Sequence, residues 1–148
     1  MKLIVDSMLG KLARRLRLLG LDTCFDPSLE DRDLLRISKL EGRLIVTRDT
    51  GIAKVRGAKV LLINSTDLDK QLHEFSHLTG IRFDSRTSFS RCPECNTPVE
   101  ETSKEKVKNI IPKFVYENMD KFSYCPKCKK AYWQGTHYDK LIKELKNT

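Results

Sequence analysis

Two Cys-x-x-Cys pairs, Cys92-Pro93-Glu94-Cys95 and Cys125-Pro126-Lys127-Cys128, stand 29 residues apart in a chain of 148. Each such pair folds into a tight knuckle that aims two thiolates at one tetrahedral ion, and two knuckles complete a four-thiolate site. The spacing predicts that Cys92, Cys95, Cys125 and Cys128 hold a structural Zn²⁺. A dithiol redox pair would instead be a single Cys-x-x-Cys at a helix N-terminus in a thioredoxin-like setting, which the sequence does not offer. With all four ligands from protein the ion has no open position, so it acts as a staple. The fewer than 60 residues around it need one, because their core candidates are limited to Ile110, Ile111, Phe114, Val115, Phe122, Tyr124, Tyr132 and Trp133. Short strands are expected after each knuckle, at 97–99 and 131–133. The fifth cysteine, Cys24, falls in an apolar run and reads as a buried free thiol.

The charge balance separates two regions. Residues 1–91 hold all 11 arginines, with 17 Lys and Arg against 12 acids, whereas residues 92–148 hold 11 lysines against 8 acids. Most of the net charge of +8 therefore belongs to the first region. The polar stretch 84–90 reads as the linker, dividing the chain into residues 1–84 and 85–148. Met1 leads directly into Leu3-Ile4-Val5, and no apolar run approaches the ~20 residues of a spanning helix. A cytoplasmic protein without a membrane partner is the expectation.

Apolar runs at 3–5, 21–25, 44–47 and 60–63 read as strands, alternating with helical patterns at 8–19, 31–41 and 68–78 that end at Gly20, Gly42 and Gly80. This alternation predicts an α/β fold with a parallel sheet covered on both faces. In such sheets ligands collect beyond the carboxyl ends of the strands. Asp6 directly follows the first run and Asp49 follows the third after Arg48, while Asp31 and Asp33 open the second helix. Gathered carboxylates repel unless a cation lies between them, which points to a hard-metal site for Mg²⁺ or Mn²⁺ that activates water against a phosphoryl group. The same acids also suit helix caps and turns, the reading preferred for Asp22 and Asp26 and open to Asp67 and Asp69.

On the first helix Leu9, Leu12, Leu16 and Leu19 share one face, and Lys11, Arg14 and Arg15 the opposite one, with Arg17 at the flank. A basic outer face is ordinarily just solvated. Arg48, Lys54 and Arg56, expected near the same acidic edge, favour a polyanionic substrate gripped through its backbone. In the second region His137 reads as a spare ligand, phosphate contact, proton carrier or structural residue. Tyr132, Trp133, His137 and Tyr138 are aromatic candidates for base stacking or for the core beside the metal.

The run Val5-Asp6-Ser7-Met8-Leu9-Gly10-Lys11-Leu12-Ala13-Arg14, with Leu16-Arg17 and Leu19-Gly20, and the run Leu44-Ile45-Val46-Thr47-Arg48-Asp49 resemble the Mut7-C family. Arg91-Cys92-Pro93-Glu94-Cys95-Asn96, the second cysteine pair and Tyr132-Trp133-Gln134-Gly135-Thr136-His137 agree with it. The resemblance implies a PIN-like three-layer parallel-sheet domain followed by a small C-terminal zinc ribbon, and a metal-dependent endoribonuclease. By motif, Asp6 and Asp49 match the first-strand and third-strand acids and hold Mg²⁺ or Mn²⁺. Asp33 resembles the helix acid, with Asp31 its rival. A fourth acid is not obvious, because Asn64-Ser65-Thr66 follows the fourth strand. The substrate is then RNA, single-stranded or in loops, with tRNA and rRNA among the candidates, bound by Lys11, Arg14, Arg15, Arg17, Arg48, Lys54 and His137. The alternative is a non-catalytic module that binds RNA or the ribosome. A receiver-type phosphoryl-transfer domain also clusters acids at strand ends, but a convincing lysine after a fifth strand is missing.

Overall fold

Four strands, β1 (Lys2–Val5), β2 (Asp22–Cys24), β3 (Leu44–Thr47) and β4 (Val60–Leu62), form one parallel sheet in the order β2-β1-β3-β4. The computed structural model describes residues 1–84, 88–135, 139–140, 142–143 and 145. Leu3, Ile4 and Val5 are all fully buried, as a central strand covered on both faces requires. Their alternation assigns the layers. Leu3 and Val5 pack with Val46 of β3 and with Leu12, Leu16, Leu72 and Phe75 from α1 (Gly10–Leu18) and α4 (Leu68–Thr79). Ile4 and Ile45 pack with Leu34 and Ile52 from α2 (Asp31–Glu41) and α3 (Thr50–Ala53). The result is the three-layer α/β arrangement expected from the strand–helix alternation.

The helix boundaries follow local chemistry. A 3₁₀ turn at Ser7–Leu9 leads into α1. Asp67 caps α4 by accepting from Lys70 N–H, and Gly42 and Gly80 close α2 and α4 in the left-handed region at φ 68° and 72°.

Beyond the first sheet, β5 (Glu100–Thr102), β6 (Phe122–Cys125) and β7 (Lys130–Trp133) make an antiparallel sheet, with α5 (Lys104–Val107) and α6 (Lys113–Asn118) between β5 and β6. The strand expected at 97–99 begins later, at Glu100. Pro98, which has no N–H to give a ladder, makes only an isolated bridge to Arg91. The core here is Val107, Ile111 and Phe122, backed by Val115, Tyr116, Met119, Tyr124, Ala131 and Trp133. Ile110 and Phe114, expected in that core, are 51% and 71% exposed. Ile110 lies in the turn after α5, before the buried Ile111, and Phe114 is on the outer side of α6, a helix with no fully buried residue.

The two regions share one core. Phe83 and Phe89 on either side of the expected boundary, and Ile142 and Leu145 near the C-terminus, belong to the same apolar cluster as Leu3, Val5 and Leu16, with Tyr132 packed against it. Polar bonds reinforce the seam. Arg17, expected among the RNA-facing cations, is 5% exposed. Its Nε donates to Thr23 O at 2.9 Å, and Nη1 donates to Pro93 O at 3.0 Å and Glu94 O at 3.1 Å. Asn96 Oδ1 accepts from Thr23 N–H at 3.0 Å, and Asn96 Nδ2 donates to Asp22 at 2.8 Å. The outward backbone groups of edge strand β2 are thus satisfied by Arg17 and by the first cysteine knuckle. Arg17 differs from Arg14 and Arg15 because its position on the α1 flank faces β2.

Asp22, expected only as a turn residue, also accepts from the buried guanidinium of Arg43 at 3.0 Å. Burial alone would raise its carboxyl pKa, but hydrogen bonds from Asn96 and Arg43 outweigh burial and hold it below the usual carboxylate range. This group therefore adds stability above the ordinary carboxylate pKa, and the contribution is lost as pH falls through the lowered value. Arg17→Lys should cost about 2–4 kcal/mol in urea unfolding, because one ammonium cannot serve carbonyls on both sides of the seam. Arg15→Lys should stay within about 0.5 kcal/mol.

Candidate functional site

Parallel connections bring every strand end to one edge, and there the first and third strands carry Asp6 and Asp49. Asp6 N–H donates to Val46 O at 3.0 Å, fixing the end of β1 beside β3. The Asp6 carboxylate is buried. It accepts from Thr47 Oγ1 at 2.7 Å and from Ser7 Oγ at 3.2 Å. Thr47 Oγ1 in turn accepts from the backbone N–H of Asp49 at 2.9 Å, so one hydroxyl ties the Asp6 carboxylate to the main chain at position 49. Asp49 caps α3, accepting from Gly51 N–H at 2.7 Å. A side chain at position 51 would begin 3.0 Å from Asp49 Oδ1, which explains the glycine there.

The other acids lie apart from this pair. Asp33 accepts from Glu30 N–H at 3.0 Å in a reciprocal cap of α2, and its second oxygen faces Arg36 at 3.9 Å. Asp31 is exposed on the same first turn. Among the described residues, the four cysteines are the group of three or more potential metal ligands drawn close enough to share an ion, and Asp31 and Asp33 do not join Asp6 and Asp49 in another. Asp26 holds Ser28 N–H and Oγ in a turn, as the sequence suggested.

A carboxylate does serve the end of β4, supplied by a helix. Glu74 on α4 accepts from Asn64 N–H at 2.8 Å and Ser65 N–H at 3.0 Å. Burial opposes its ionisation, and these two N–H groups outweigh burial to hold its carboxyl below the usual range. Glu74 and the bridging Thr47 were missed in sequence: one lies ten residues beyond the loop it holds, and the other reads simply as a β-branched strand residue.

Arg48 is partly buried, and its Nε is buried with no acceptor among the described residues. Lys54 is exposed at the C-terminal end of α3. Arg56, expected at the acidic edge, lies at the opposite one, in a hollow of about 410 Å³ with Lys39, Gly42 and Lys59. The chain must return to that amino edge before β4 can run parallel to β3. Lys11, Arg14 and Arg15 line a groove of about 690 Å³ whose far wall is Ala131, Tyr132 and Trp133. His137 lies outside the described residues.

The cysteine centre repeats one turn twice. Asn96 N–H donates to Cys92 O and Lys129 N–H to Cys125 O, each at 2.8 Å, and both residues are left-handed, at φ 68° and 56°. Asparagine tolerates that conformation better than lysine does. The four sulfurs lie within 4.8 Å of one another, with Cys95 and Cys125 Sγ 3.6 Å apart. Four tetrahedral bonds of about 2.3 Å place sulfurs roughly 3.8 Å apart, so the cluster fits Zn²⁺. Tyr132 Oη is 3.1 Å from Cys92 Sγ, the outer-shell contact that orients a thiolate ligand. Burial raises the Cys95 thiol pKa, but the Thr97 hydroxyl and N–H outweigh it and bring the thiol to about 6. Cys128 is pushed up to about 12, chiefly by Cys95. Cys24, the fifth, is only half-buried, its thiol raised by burial.

The fold and site define a parallel α/β domain with Asp6 and Asp49 at the carboxyl edge of its sheet and a four-cysteine centre beside it. The chain belongs to the Mut7-C RNAse domain family, whose model matches residues 1–145. A ribonuclease-like role, with RNA as the substrate class, follows from that membership. No curated protein and no solved structure matches the chain significantly.

Zinc must displace thiol protons, so its affinity should fall as pH is lowered from 8 to 6. Calorimetry in two buffers of different ionisation enthalpy should show proton release and one ion per chain, and Cys128→Ser should weaken binding and lower the melting temperature.

Proposed function

We propose that the chain is a metal-dependent endoribonuclease with a PIN-like catalytic domain in residues 1–84 and a zinc ribbon in residues 85–148. What supports this reading is the placing of Asp6 and Asp49 at the ends of neighbouring strands β1 and β3, with Thr47 Oγ1 bonded to the Asp6 carboxylate and to the Asp49 backbone N–H. Two hard carboxylates whose oxygens are only partly engaged suit Mg²⁺ or Mn²⁺, which bind through one or two carboxylates and fill their remaining positions with water and substrate phosphate. Asp6 and Asp49 would hold the ion. When bound, it stabilises charge on a phosphoryl oxygen and eases deprotonation of the attacking water.

The chain's own residues set the geometry. Thr47 and Ser7 fix the Asp6 carboxylate from two sides, and Gly51 N–H fixes that of Asp49, so neither has to be ordered when substrate arrives. Arg48, next to Asp49 in the chain and only partly buried, would offer the exposed part of its guanidinium to a phosphate oxygen. Asp33, whose carboxylate closes the reciprocal cap of α2 and is not grouped with Asp6 and Asp49, stands outside the primary pair in this reading.

RNA cutting should require added Mg²⁺ or Mn²⁺ while zinc remains bound. Asp6→Asn and Asp49→Asn should each slow it by on the order of 10²–10³. Asparagine still accepts the Gly51 N–H, so Asp49→Asn should retain its melting temperature. Cutting at the original rate in either variant, in a denaturing-gel assay with zinc content verified, would overturn the reading.

A further inference from the structure

The groove that α1 shares with β7 brings together two chemistries that lie more than 100 residues apart in sequence. One wall is cationic: Lys11, Arg14 and Arg15. Arg14 is anchored there by Glu94 Oε1 at 2.6 Å, whereas Lys11 and Arg15 have no carboxylate partner among the described residues. The opposite wall is built from Ala131, Tyr132, Trp133 and Gly135; Tyr132 and Trp133 are consecutive in β7, so their rings leave opposite faces of the strand, Tyr132 toward the core shared with α1 and Trp133 toward Phe122. Tyr132 is tethered by its hydroxyl to Cys92, and Trp133 packs edge-on against Phe122, so both rings are held in place before any ligand binds.

The groove also has a direction. Lys11 is in the first turn of α1, shortly after Asp6, and Leu68 is the first residue of α4, which follows the end of β4, so this end opens at the carboxyl edge. Leu18 and Pro93 mark the other end, beside the first cysteine knuckle.

We propose that this groove is the bed of a single-stranded segment of RNA, its phosphates on Lys11, Arg14 and Arg15 and its bases against the β7 wall at Tyr132, close enough to Trp133 to change its emission, leading the strand toward Asp6 and Asp49. The inference rests on the ribonuclease reading for the identity of the ligand and adds its strandedness and path. A duplex keeps its bases stacked inside and would present only phosphates to the aromatic wall, whereas an unpaired strand can use both walls at once. An acidic peptide would satisfy the cations and leave the rings unused.

Trp133 is the chain's single tryptophan, so the groove carries its own reporter. The full-length, zinc-loaded protein is titrated without Mg²⁺ or Mn²⁺ with an oligoadenylate RNA of about 12 nucleotides. Saturable quenching of tryptophan fluorescence is expected, with affinity at least about tenfold above that for an RNA duplex of the same phosphate concentration. The variant Lys11→Glu/Arg15→Glu should bind at least tenfold more weakly, its salt dependence shallower by about 0.7 for each phosphate it no longer neutralises. Lys11→Glu alone, at an exposed position, should move in the same direction. Absence of quenching, unchanged affinity in the double variant, or equal quenching by the duplex or by oligoglutamate would overturn the proposal. Asp6→Asn separates the two readings: it should retain quenching and affinity while losing cutting. Persistent cutting in Asp6→Asn would remove the catalytic assignment and leave the groove standing.

Discussion

Strand β2 is the edge of a parallel sheet, and an edge strand leaves backbone donors and acceptors unpaired. Here they meet the Asn96 amide and the Arg17 guanidinium, and that same guanidinium reaches across to two carbonyls of the first cysteine knuckle. A buried charge is costly in proportion to what it leaves unsatisfied. Several carbonyl acceptors from two segments hold Arg17 where solvent would otherwise be needed. The seam fixes where the cysteine-bearing segment stands against the sheet, and with it the groove whose walls come from α1 and β7.

The regular elements were legible because each leaves a local signature. Leu9, Leu12, Leu16 and Leu19 fall at helical spacing and are buried together, and Leu3 to Val5 is apolar throughout because both faces are covered. The cysteine spacing was equally direct, since a knuckle is a matter of four consecutive residues. What the sequence could not express were choices made by tertiary neighbours. Arg14, Arg15 and Arg17 are alike in composition, yet one wall of the groove has the first two and the core seam has the third. Phe114 and Ile110 are as apolar as the residues that did fill the small core, yet α6 and the turn after α5 leave them exposed.

The acidic edge divides in the same way. Asp6 and Asp49 could be placed from strand ends alone, because parallel topology brings consecutive carboxyl ends to one side. Thr47 could not, since its part in the site comes from a hydroxyl reaching two neighbours. Asp33 carried two meanings in sequence, helix cap and ligand, and its observed partners are those of a cap. Glu74 shows the converse, a carboxylate delivered to a strand end from a helix ten residues later.

Leu3 and Leu145, far apart along the chain, lie in one apolar cluster. Synthesis proceeds from the first toward the second, so the leading strand and helix leave the ribosome long before the side chains that complete their packing exist. Pairings so distant in sequence are slow to close, and the apolar surface awaiting them is exposed meanwhile. Completion of this core therefore waits until the segment around Leu145 has emerged.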